Sequence, residues 1–303
     1  MVNESKRIAA IGNFDGVHLG HQHLLAEAAA LAAQLGADQG VVLFEPHPQR
    51  FFQPNGPPFL ITLSDQRNEL LRASGAKFVE ALAFDGALAS LSPQEFVQSI
   101  LVERLGLSGV LTGVDFRFGK ARAGDIDALK TLGREAGLEV RAASLLERPD
   151  TEKFGSSGIR LALRAGNVRE AAEQLGRSWS VRREVIDGQK LGRTIGYPTA
   201  NMTLGALIEP RHGIYATRAI FDGKARDAVS SFGRRPTVSD GEPLLETYIF
   251  EFDGDLYGRA IEIEFVEFIR DEEKFDGLET LKAAIADDCE KARAILSATP
   301  AST

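Results

Sequence analysis

The hydrophobic pattern of this 303-residue chain changes near residue 177, and this change limits the possible folds more than any other feature. Before it, short apolar runs such as RIAAI at 7–11 and GVVLF at 40–44 flank HQHLLAEAAALAAQL at 21–35, whose apolar residues have helical spacing. Strands that alternate with helices predict a parallel sheet with helices on both faces. Residues 1–177 are therefore predicted to form an α/β domain.

The second part, residues 178–303, carries short segments in which apolar and polar residues alternate, such as GIYATRAIF at 213–221 and RAIEIEFVEF at 259–268. Asp-Gly turn signals separate these segments, which predicts antiparallel strands in a small β-barrel. A last apolar stripe has helical spacing and predicts a C-terminal helix with its single cysteine in the core. The stripe consists of Leu278, Leu281, Ile285, Cys289, Ala292 and Leu296.

The composition is that of an ordinary soluble globular protein, with 44% hydrophobic and 26% charged residues. A net charge of −8 argues against a nonspecific grip on nucleic acid or on anionic lipid. The sequence shows neither a signal peptide nor an apolar run of about 20 residues, so no membrane span is expected. We expect a cytoplasmic protein that is a monomer or a weak homo-oligomer.

The segment Gly12–His21 lies between the first predicted strand and the first predicted helix. In a parallel α/β sheet such a turn lies at the carboxyl edge, where ligands bind. The helix start offers free N–H groups to a phosphate, and glycines let the backbone approach it closely. His18 and His21 are three residues apart, so both imidazoles can donate hydrogen bonds to one phosphoryl group or, if protonated, stabilise its charge. The alternative is a glycine-rich turn with incidental histidines.

The pattern His18-x-Gly20-His21 resembles the phosphate-binding signature of the nucleotidyltransferase and class I aminoacyl-tRNA synthetase superfamily. A hydroxyl- and arginine-bearing run should then follow at the far end of the domain. KFGSSGIR at 153–160 fits that description. Ser156 and Ser157 can hydrogen-bond phosphate oxygens, and Arg160 can bind them with its fork. Read alone, the run is equally compatible with a helix N-cap and a surface arginine.

Further motifs extend the resemblance to residues 8–296. In the first part these are GNFDGVHLGHQHLL, FEPHP at 44–48, LSPQEFV at 91–97 and GVDFRFGKARAGD at 113–125. In the second part they are GRTIGYPTAN at 192–201, HGIYA at 212–216, RRPT at 234–237, LETYIFEFDGDLYG at 245–258 and RDEEKF at 270–275. Their order is similar to that of the bacterial bifunctional riboflavin kinase/FMN adenylyltransferases (FAD synthetases). The resemblance implies a Rossmann-like nucleotidyltransferase domain, followed by a riboflavin kinase barrel.

For the barrel, the resemblance implies transfer of the γ-phosphoryl group of ATP to the 5′-hydroxyl of riboflavin. Glu246 would be the base that takes the hydroxyl proton, and Thr199 and Asn201 would be oxygen ligands of Mg²⁺. Without the resemblance, alternation alone favours a solvent-facing Glu246. The remaining implied contacts are Gly192, Gly196 and Pro198 in a phosphate-binding loop, and Arg270, Glu272 and Phe275 beside the flavin.

For the first domain, the resemblance implies that FMN attacks the α-phosphorus of ATP and releases pyrophosphate, giving FAD. His18 and His21 would stabilise the transition state, while Lys153, Ser156, Ser157 and Arg160 would hold the pyrophosphate. Asp115 would help place FMN or ATP, although an aspartate that only caps a turn is equally compatible with the sequence. Phe116 and Phe118 are further candidate aromatic neighbours of the ligand. The turn itself would contribute Gly12, Asn13, Phe14, Asp15 and Gly16.

One run departs from the family pattern, because Gly155 and Gly158 stand where S-S-T-R-I-R commonly has its first serine and first arginine. Two alternatives therefore remain beside the bifunctional enzyme. One is a riboflavin kinase with weakened adenylyl transfer, and the other is a non-catalytic regulator that binds flavin or nucleotide.

Overall fold

The computed structural model describes residues 6–144, 146, 154–187, 195–234 and 242–299. The chain folds into two compact units. The first unit comprises residues 1–57 and 64–155, and the second comprises residues 58–63 and 156–303. This division lies before residue 177, which stays a predicted boundary between two activities.

The first unit is built from five strands and the helices that connect them. In chain order its elements are β1 (Arg7–Ile11), α1 (Leu19–Leu35), β2 (Asp38–Glu45), α2 (Pro48–Phe52), α3 (Ser64–Ala73), β3 (Phe78–Ala83), α4 (Gly86–Ser90), α5 (Pro93–Glu95) continued by a π-helix (Phe96–Arg104), β4 (Leu107–Thr112), a 3₁₀ turn (Lys120–Arg122), α6 (Ile126–Glu135) and β5 (Glu139–Ala142). The predicted helix at 21–35 begins two residues earlier, at Leu19, and ends before Gly36, whose φ of 61° suits glycine.

All strand pairs of the first unit are parallel, in the order β3-β2-β1-β4-β5. Alternate side chains of β1 pack into two hydrophobic cores, one on each face of the sheet. Ile8 and Ala10 pack with the apolar face of α1, whereas Ala9 and Ile11 pack with the π-helix and α6. This arrangement confirms the predicted sheet with helices on both faces. The strand order reverses at β1, so the crevice between the ends of β1 and β4 is the topological switch point.

The second unit contains six antiparallel strands and three helices among its described residues. In chain order these are α7 (Ser156–Ala165), α8 (Val168–Leu175), β6 (Trp179–Glu184), β7 (Ala200–Thr203), β8 (Gly213–Phe221), β9 (Lys224–Gly233), β10 (Leu244–Ile249), β11 (Ala260–Arg270) and α9 (Leu278–Ala298). The strand order is β6-β11-β8-β9-β10-β7. A bridge between Ile186 and Asn201 joins the two outer strands, so the sheet is a nearly closed barrel, as predicted.

The barrel has a buried interior and a covered outer face. Trp179, Tyr215 and Phe265 are among its fully buried interior side chains. Outside, Ala216, Val229 and Val266 pack against the apolar side of α9, where Cys289 is buried. The burial of this free cysteine agrees with the predicted core thiol, and it raises the pKa of the Cys289 thiol to about 11. The predicted apolar stripe is wrong at its first member, because Leu278, in the first turn of α9, is exposed.

Candidate functional site

The turn that follows β1 has an unusual backbone. Gly16 has φ of 86°, and two residues that are not glycine, Phe14 and Val17, also have positive φ, at 54° and 43°. Such values are rare for a β-branched residue and tend to cluster at functional sites. The Val17 N–H donates to Phe14 O, and the Gln22 side chain donates to Val17 O at 3.0 Å. These bonds hold the turn at the switch point of the sheet.

His18 ends this turn as the N-cap of α1. Its extended backbone lets Nδ1 accept the His21 N–H at 3.3 Å. A neutral His18 ring therefore carries its proton on Nε2. The rings of His18 and His21 stack with centroids 3.7 Å apart. A side chain on Gly20 would press on the His18 ring, whose nearest atoms would lie 3.2 Å from its Cβ, so glycine permits this close packing.

His21 is predominantly neutral at pH 7. Burial of the ring, and then the neighbouring His18, lower the pKa of His21 well below its ordinary value of 6.5. Its Nδ1 is buried and makes no hydrogen bond within the described part of the chain. The lowered pKa favours the neutral ring, which can still offer one hydrogen-bond donor.

His23, the third histidine of this stretch, has a different environment. Its Nε2 lies 2.7 Å from Ser144 Oγ and 3.0 Å from the Glu27 carboxylate. His23 therefore ties α1 to the end of β5, and the pair of histidines at the turn is His18 and His21.

The other residues predicted at this edge differ in exposure. Phe14 and Asp15 are buried, and the Phe14 ring lies 5.0 Å from that of His21. Gly12 and Asn13 are half-buried. Asp115 is exposed in the loop after β4, on the other side of the switch point. The structure thus places the turn and Asp115 after the two neighbouring strands β1 and β4.

An aromatic cluster, Phe44, Phe51, Phe52 and Phe84, lies at the carboxyl ends of β2 and β3. Phe51 contacts Phe52 and Phe84 edge-on, at 5.1 Å and 5.4 Å, and Phe44 contacts Phe84 at 5.8 Å. Phe52 is 67% exposed, which is unusual for a large aromatic side chain. Sequence reasoning missed this cluster, although FF at 51–52, two residues beyond the FEPHP motif, was a usable signal.

Within the predicted pyrophosphate-binding run, residues 156–160 belong to the second unit, where they begin α7, whereas residues 153–155 belong to the first. Ser156 is half-buried and Ser157 is exposed. Arg160 donates through Nε to Phe59 O at 2.8 Å, and its guanidinium lies 5.4 Å from the Phe59 ring. Lys153 lies outside the described residues. The role of this run stays a prediction.

In the barrel, three polar residues form a row across neighbouring strands. Glu246 on β10 pairs directly with Asn201 on β7 and with Ser231 on β9. Residues directly opposite each other point to the same face of a sheet, with Cβ atoms about 4.5–5.5 Å apart. The flanking Leu245 and Thr247 are buried in the interior, so this row, called the polar row below, lies on the outer face.

Asn201 is the member of the polar row best suited to bind a cation. It is 5% exposed, and its Nδ2 donates to Thr199 O at 3.2 Å. Its Oδ1 is buried and accepts no hydrogen bond from any residue that the structure describes. Such an oxygen is costly unless something binds it. Within the same residues, no cluster of three or more His, Cys, Asp or Glu could hold a metal ion.

Other predicted contacts of the barrel lie before β7 and after β11. Gly196 and Pro198 are exposed, and Gly196 has φ of 91°. Gly192 lies outside the described residues. After β11, Phe275 is half-buried and Glu272 is exposed, with the Glu272 carboxylate 3.7 Å from His212 Nδ1. Partial burial raises the pKa of Glu272, although His212 opposes the shift.

Both parts of the chain match known protein families. The FAD synthetase family model matches residues 1–157, and the riboflavin kinase family model matches residues 175–296. The bifunctional riboflavin kinase/FMN adenylyltransferase of Pseudomonas fluorescens is 41% identical over 95% of this chain and 92% of its own length. The chain belongs to the bifunctional riboflavin kinase/FMN adenylyltransferase family. The Escherichia coli K12 member is 35% identical over 93% of this chain and 90% of its own.

One solved structure covers nearly the whole chain. It is a crystal structure from Streptococcus pneumoniae named a macrolide-efflux protein, with 30% identity and a TM-score of 0.85 over 96% of this chain and 95% of that one. In the described part of the present family member, no helix combines the length and apolar character needed to cross a membrane.

Two charged residues of this family member were missed by sequence reasoning. Arg67 on α3 is buried and binds the Glu45 carboxylate at the end of β2. Asp288 on α9 is buried and binds Arg270 with both oxygens. In the sequence, the available signal for Asp288 was a carboxylate at a position on the apolar face of the helix. The sequence does not identify its partner, because Arg270 lies 18 residues away.

Proposed function

We propose that this chain converts riboflavin to FMN and FMN to FAD, using ATP in both steps. The kinase activity is assigned to residues 178–303 and the adenylyltransferase activity to residues 1–177. Membership of the bifunctional family over nearly the full length supports both activities. We further propose that the protein works in the cytoplasm on these small molecules, without nucleic acid or membrane partners, as a monomer or weak homo-oligomer.

For the kinase reaction, the observation that carries the proposal is the pairing of Glu246 with Asn201. Glu246 takes the proton from the 5′-hydroxyl of riboflavin as that oxygen attacks the γ-phosphorus of ATP. The bond from the γ-phosphorus to the bridging oxygen breaks, and ADP leaves. A carboxylate is needed because the attacking hydroxyl must lose a proton.

Magnesium fits the residues beside Glu246. The unpartnered Asn201 Oδ1 and the Thr199 hydroxyl are neutral oxygen donors of the kind that a hard cation prefers. When bound there, Mg²⁺ would neutralise charge on the ATP phosphates. Gly192, Gly196 and Pro198 are proposed to shape the phosphate loop, and Glu272 and Phe275 are proposed to border the flavin, next to Arg270.

For adenylyl transfer, the stacked His18 and His21 at the switch point carry the proposal. An FMN phosphate oxygen attacks the α-phosphorus of ATP, the bond to the bridging oxygen breaks, and pyrophosphate leaves. Because the nucleophile is already an anion, the site needs donors more than a base. His18 and His21 are proposed to donate hydrogen bonds to the reacting phosphoryl group. The backbone of the turn is proposed to bind the same ligand, through Gly12, Asn13, Phe14, Asp15 and Gly16.

The flavin of FMN is proposed to stack on the aromatic cluster at the ends of β2 and β3. Phe52 offers an exposed ring there, and flat aromatic faces bind flat ligands well. Asp115 is proposed to help place FMN or ATP. Lys153, Ser156, Ser157 and Arg160 keep the predicted role of holding pyrophosphate.

Purified protein incubated with riboflavin, ATP and MgCl₂ tests the proposal, with products separated by chromatography. We expect FMN to appear first and FAD to follow. FMN alone would instead support the kinase with weakened adenylyl transfer, which the glycines at 155 and 158 motivate. Binding of flavin without either product would support the non-catalytic regulator.

A further inference from the structure

A β-bulge sets the direction of the Arg270 side chain at the end of β11. Phe268 pairs with Tyr215 and Arg270 pairs with Ile214, so Ile269 is an extra residue on β11. Tyr215 belongs to the barrel interior, whereas Ile214 packs with the cluster beneath α9. Without the extra residue, Arg270 would face the same side as Phe268, because side chains alternate along a strand. The bulge therefore directs Arg270 toward α9.

On α9, Asp288 receives the Arg270 guanidinium with both carboxylate oxygens. Arg270 Nε donates to Oδ1 at 2.8 Å, and Nη2 donates to Oδ2 at 2.7 Å. The Asp288 side chain is only 4% exposed, and that of Arg270 is 19% exposed. A bidentate pair of this kind is strong and directional, and a buried carboxylate depends on such a partner.

The remaining contacts of Arg270 lie in the segment that follows it. Nη1 donates to Asp271 O at 2.9 Å, and the guanidinium lies 5.7 Å from the Phe275 ring centroid. Three of the five guanidinium N–H groups are thus engaged within the chain, at least one on each nitrogen. These contacts can fix the segment 271–276 against α9.

The same segment also contacts the residues before β8 and the end of β9. Asp271 pairs with Arg211 through two hydrogen bonds of 2.6 Å. A Cβ on Gly233 would overlap the Glu272 carboxylate, so Glu272 packs directly on the backbone at the end of β9. Gly233 lies two residues beyond Ser231, which faces Glu246. The segment therefore packs on the same strand, β9, that carries Ser231 of the polar row.

We propose that Asp288 and Arg270 are positioning residues of the kinase reaction, which hold the segment 271–276 so that Glu272 and Phe275 border the flavin. This inference rests on the proposed riboflavin kinase activity. It replaces a direct flavin contact of Arg270 with an indirect role, and it assigns a role to Asp288.

The test compares Asp288→Asn, Arg270→Lys and the double variant in the full-length protein. Each single variant should raise the KM for riboflavin about tenfold or more, with the KM for ATP changed about twofold or less. The double variant should be no worse than the more impaired single variant, because both remove one interaction. Quenching of riboflavin fluorescence gives the affinity independently of turnover. FAD formation from supplied FMN should stay normal in every variant.

Glu290→Gln is the matched control, because it changes a carboxylate to an amide on the same helix, two residues from Asp288 and at an exposed position. It should behave as the unaltered protein. Should Asp288→Asn fail to fold, Arg270→Met/Asp288→Leu replaces the buried pair by apolar groups, an exchange that proteins often tolerate. A folded variant of that kind should still show the raised KM for riboflavin.

Two results would overturn the inference. Riboflavin affinity that falls in Arg270→Lys but not in Asp288→Asn would mean that Arg270 touches the flavin itself. Normal riboflavin affinity in the folded apolar double variant would mean that the pair positions nothing. If the unaltered protein forms no FMN at all, the proposed function fails instead, so the two failures are distinguishable.

Discussion

Replacing Glu246 by glutamine should separate the two activities. The change keeps the shape of the side chain but removes its ability to accept a proton. Glu246 lies half-buried on β10, opposite Asn201, whose own amide hydrogen points to Thr199 O. A neutral amide at position 246 therefore fits the same space, and we expect the free energy of unfolding to change by about 1 kcal/mol or less.

The effect on catalysis should be much larger than the effect on stability. A positioned general base contributes roughly 10²–10⁴-fold to a rate, which corresponds to about 3–5 kcal/mol of barrier. FMN formation from riboflavin in Glu246→Gln should fall by about that factor. Riboflavin binding should change little, because the amide preserves the surface that the flavin meets.

The assay follows FMN from riboflavin and, separately, FAD from supplied FMN in the same preparation. Glu251→Gln is the control, since Glu251 follows β10 on the exposed surface with its carboxylate 87% exposed and 3.7 Å from Arg293. FMN formation at an undiminished rate in Glu246→Gln would refute the assignment of the base. Equal loss of both activities would refute the assignment of the two reactions to separate sites.

Three further predictions concern His21 and Trp179. His21→Ala should lower FAD formation from FMN by about 10²–10³-fold, as expected for one lost donor to the transition state, and an unchanged rate would contradict its role. The pKa of His21 is lower in the folded protein than in the unfolded chain, so below pH 6.5 the unfolded chain binds more protons than the folded protein does. The contribution of the neutral ring to the free energy of unfolding is therefore complete above pH 6.5 and declines as the pH falls toward the folded pKa. Urea unfolding between pH 7.5 and 5 should show a shallower decline in His21→Gln, and parallel curves would exclude the effect. Trp179→Phe removes the 2.9 Å hydrogen bond from Nε1 to the buried Ile61 O and should cost about 1–3 kcal/mol, measured by circular dichroism during thermal unfolding; an unchanged transition would show that this bond contributes nothing.

The fold was predictable because local patterns and the final topology agree. Apolar runs became the central strands of the first unit, and alternating segments became the strands of the barrel. A capping box at the start of α5 is a local signal of the same kind: the Ser92 side chain accepts the Glu95 N–H, and the Glu95 side chain accepts the Ser92 N–H. Signals of this kind need no information from distant residues.

The features that sequence reasoning missed depend on distant contacts. The segment 58–63 joins the second unit because Leu60 forms backbone hydrogen bonds with Ala206 and Ile208, and nothing in its own composition predicts those partners. The pairing of Arg270 with Asp288 required a one-residue bulge, which reversed the direction of the side chain. A one-residue change of register is invisible to periodicity but decides which face a residue occupies.

The two candidate sites differ in residue type because the attacking oxygen carries a proton in one proposed reaction and is already ionised in the other. The hydroxyl of riboflavin must be deprotonated during attack, and the outer face of the barrel accordingly presents the carboxylate of Glu246 beside the neutral oxygen of Asn201. The phosphate of FMN is already ionised, and a carboxylate directly in its path would repel it. The turn after β1 instead presents the imidazoles of His18 and His21, and burial lowers the pKa of His21, which favours its neutral form. An anionic phosphoryl group bound there would raise that pKa, so binding and proton uptake by His21 should be linked.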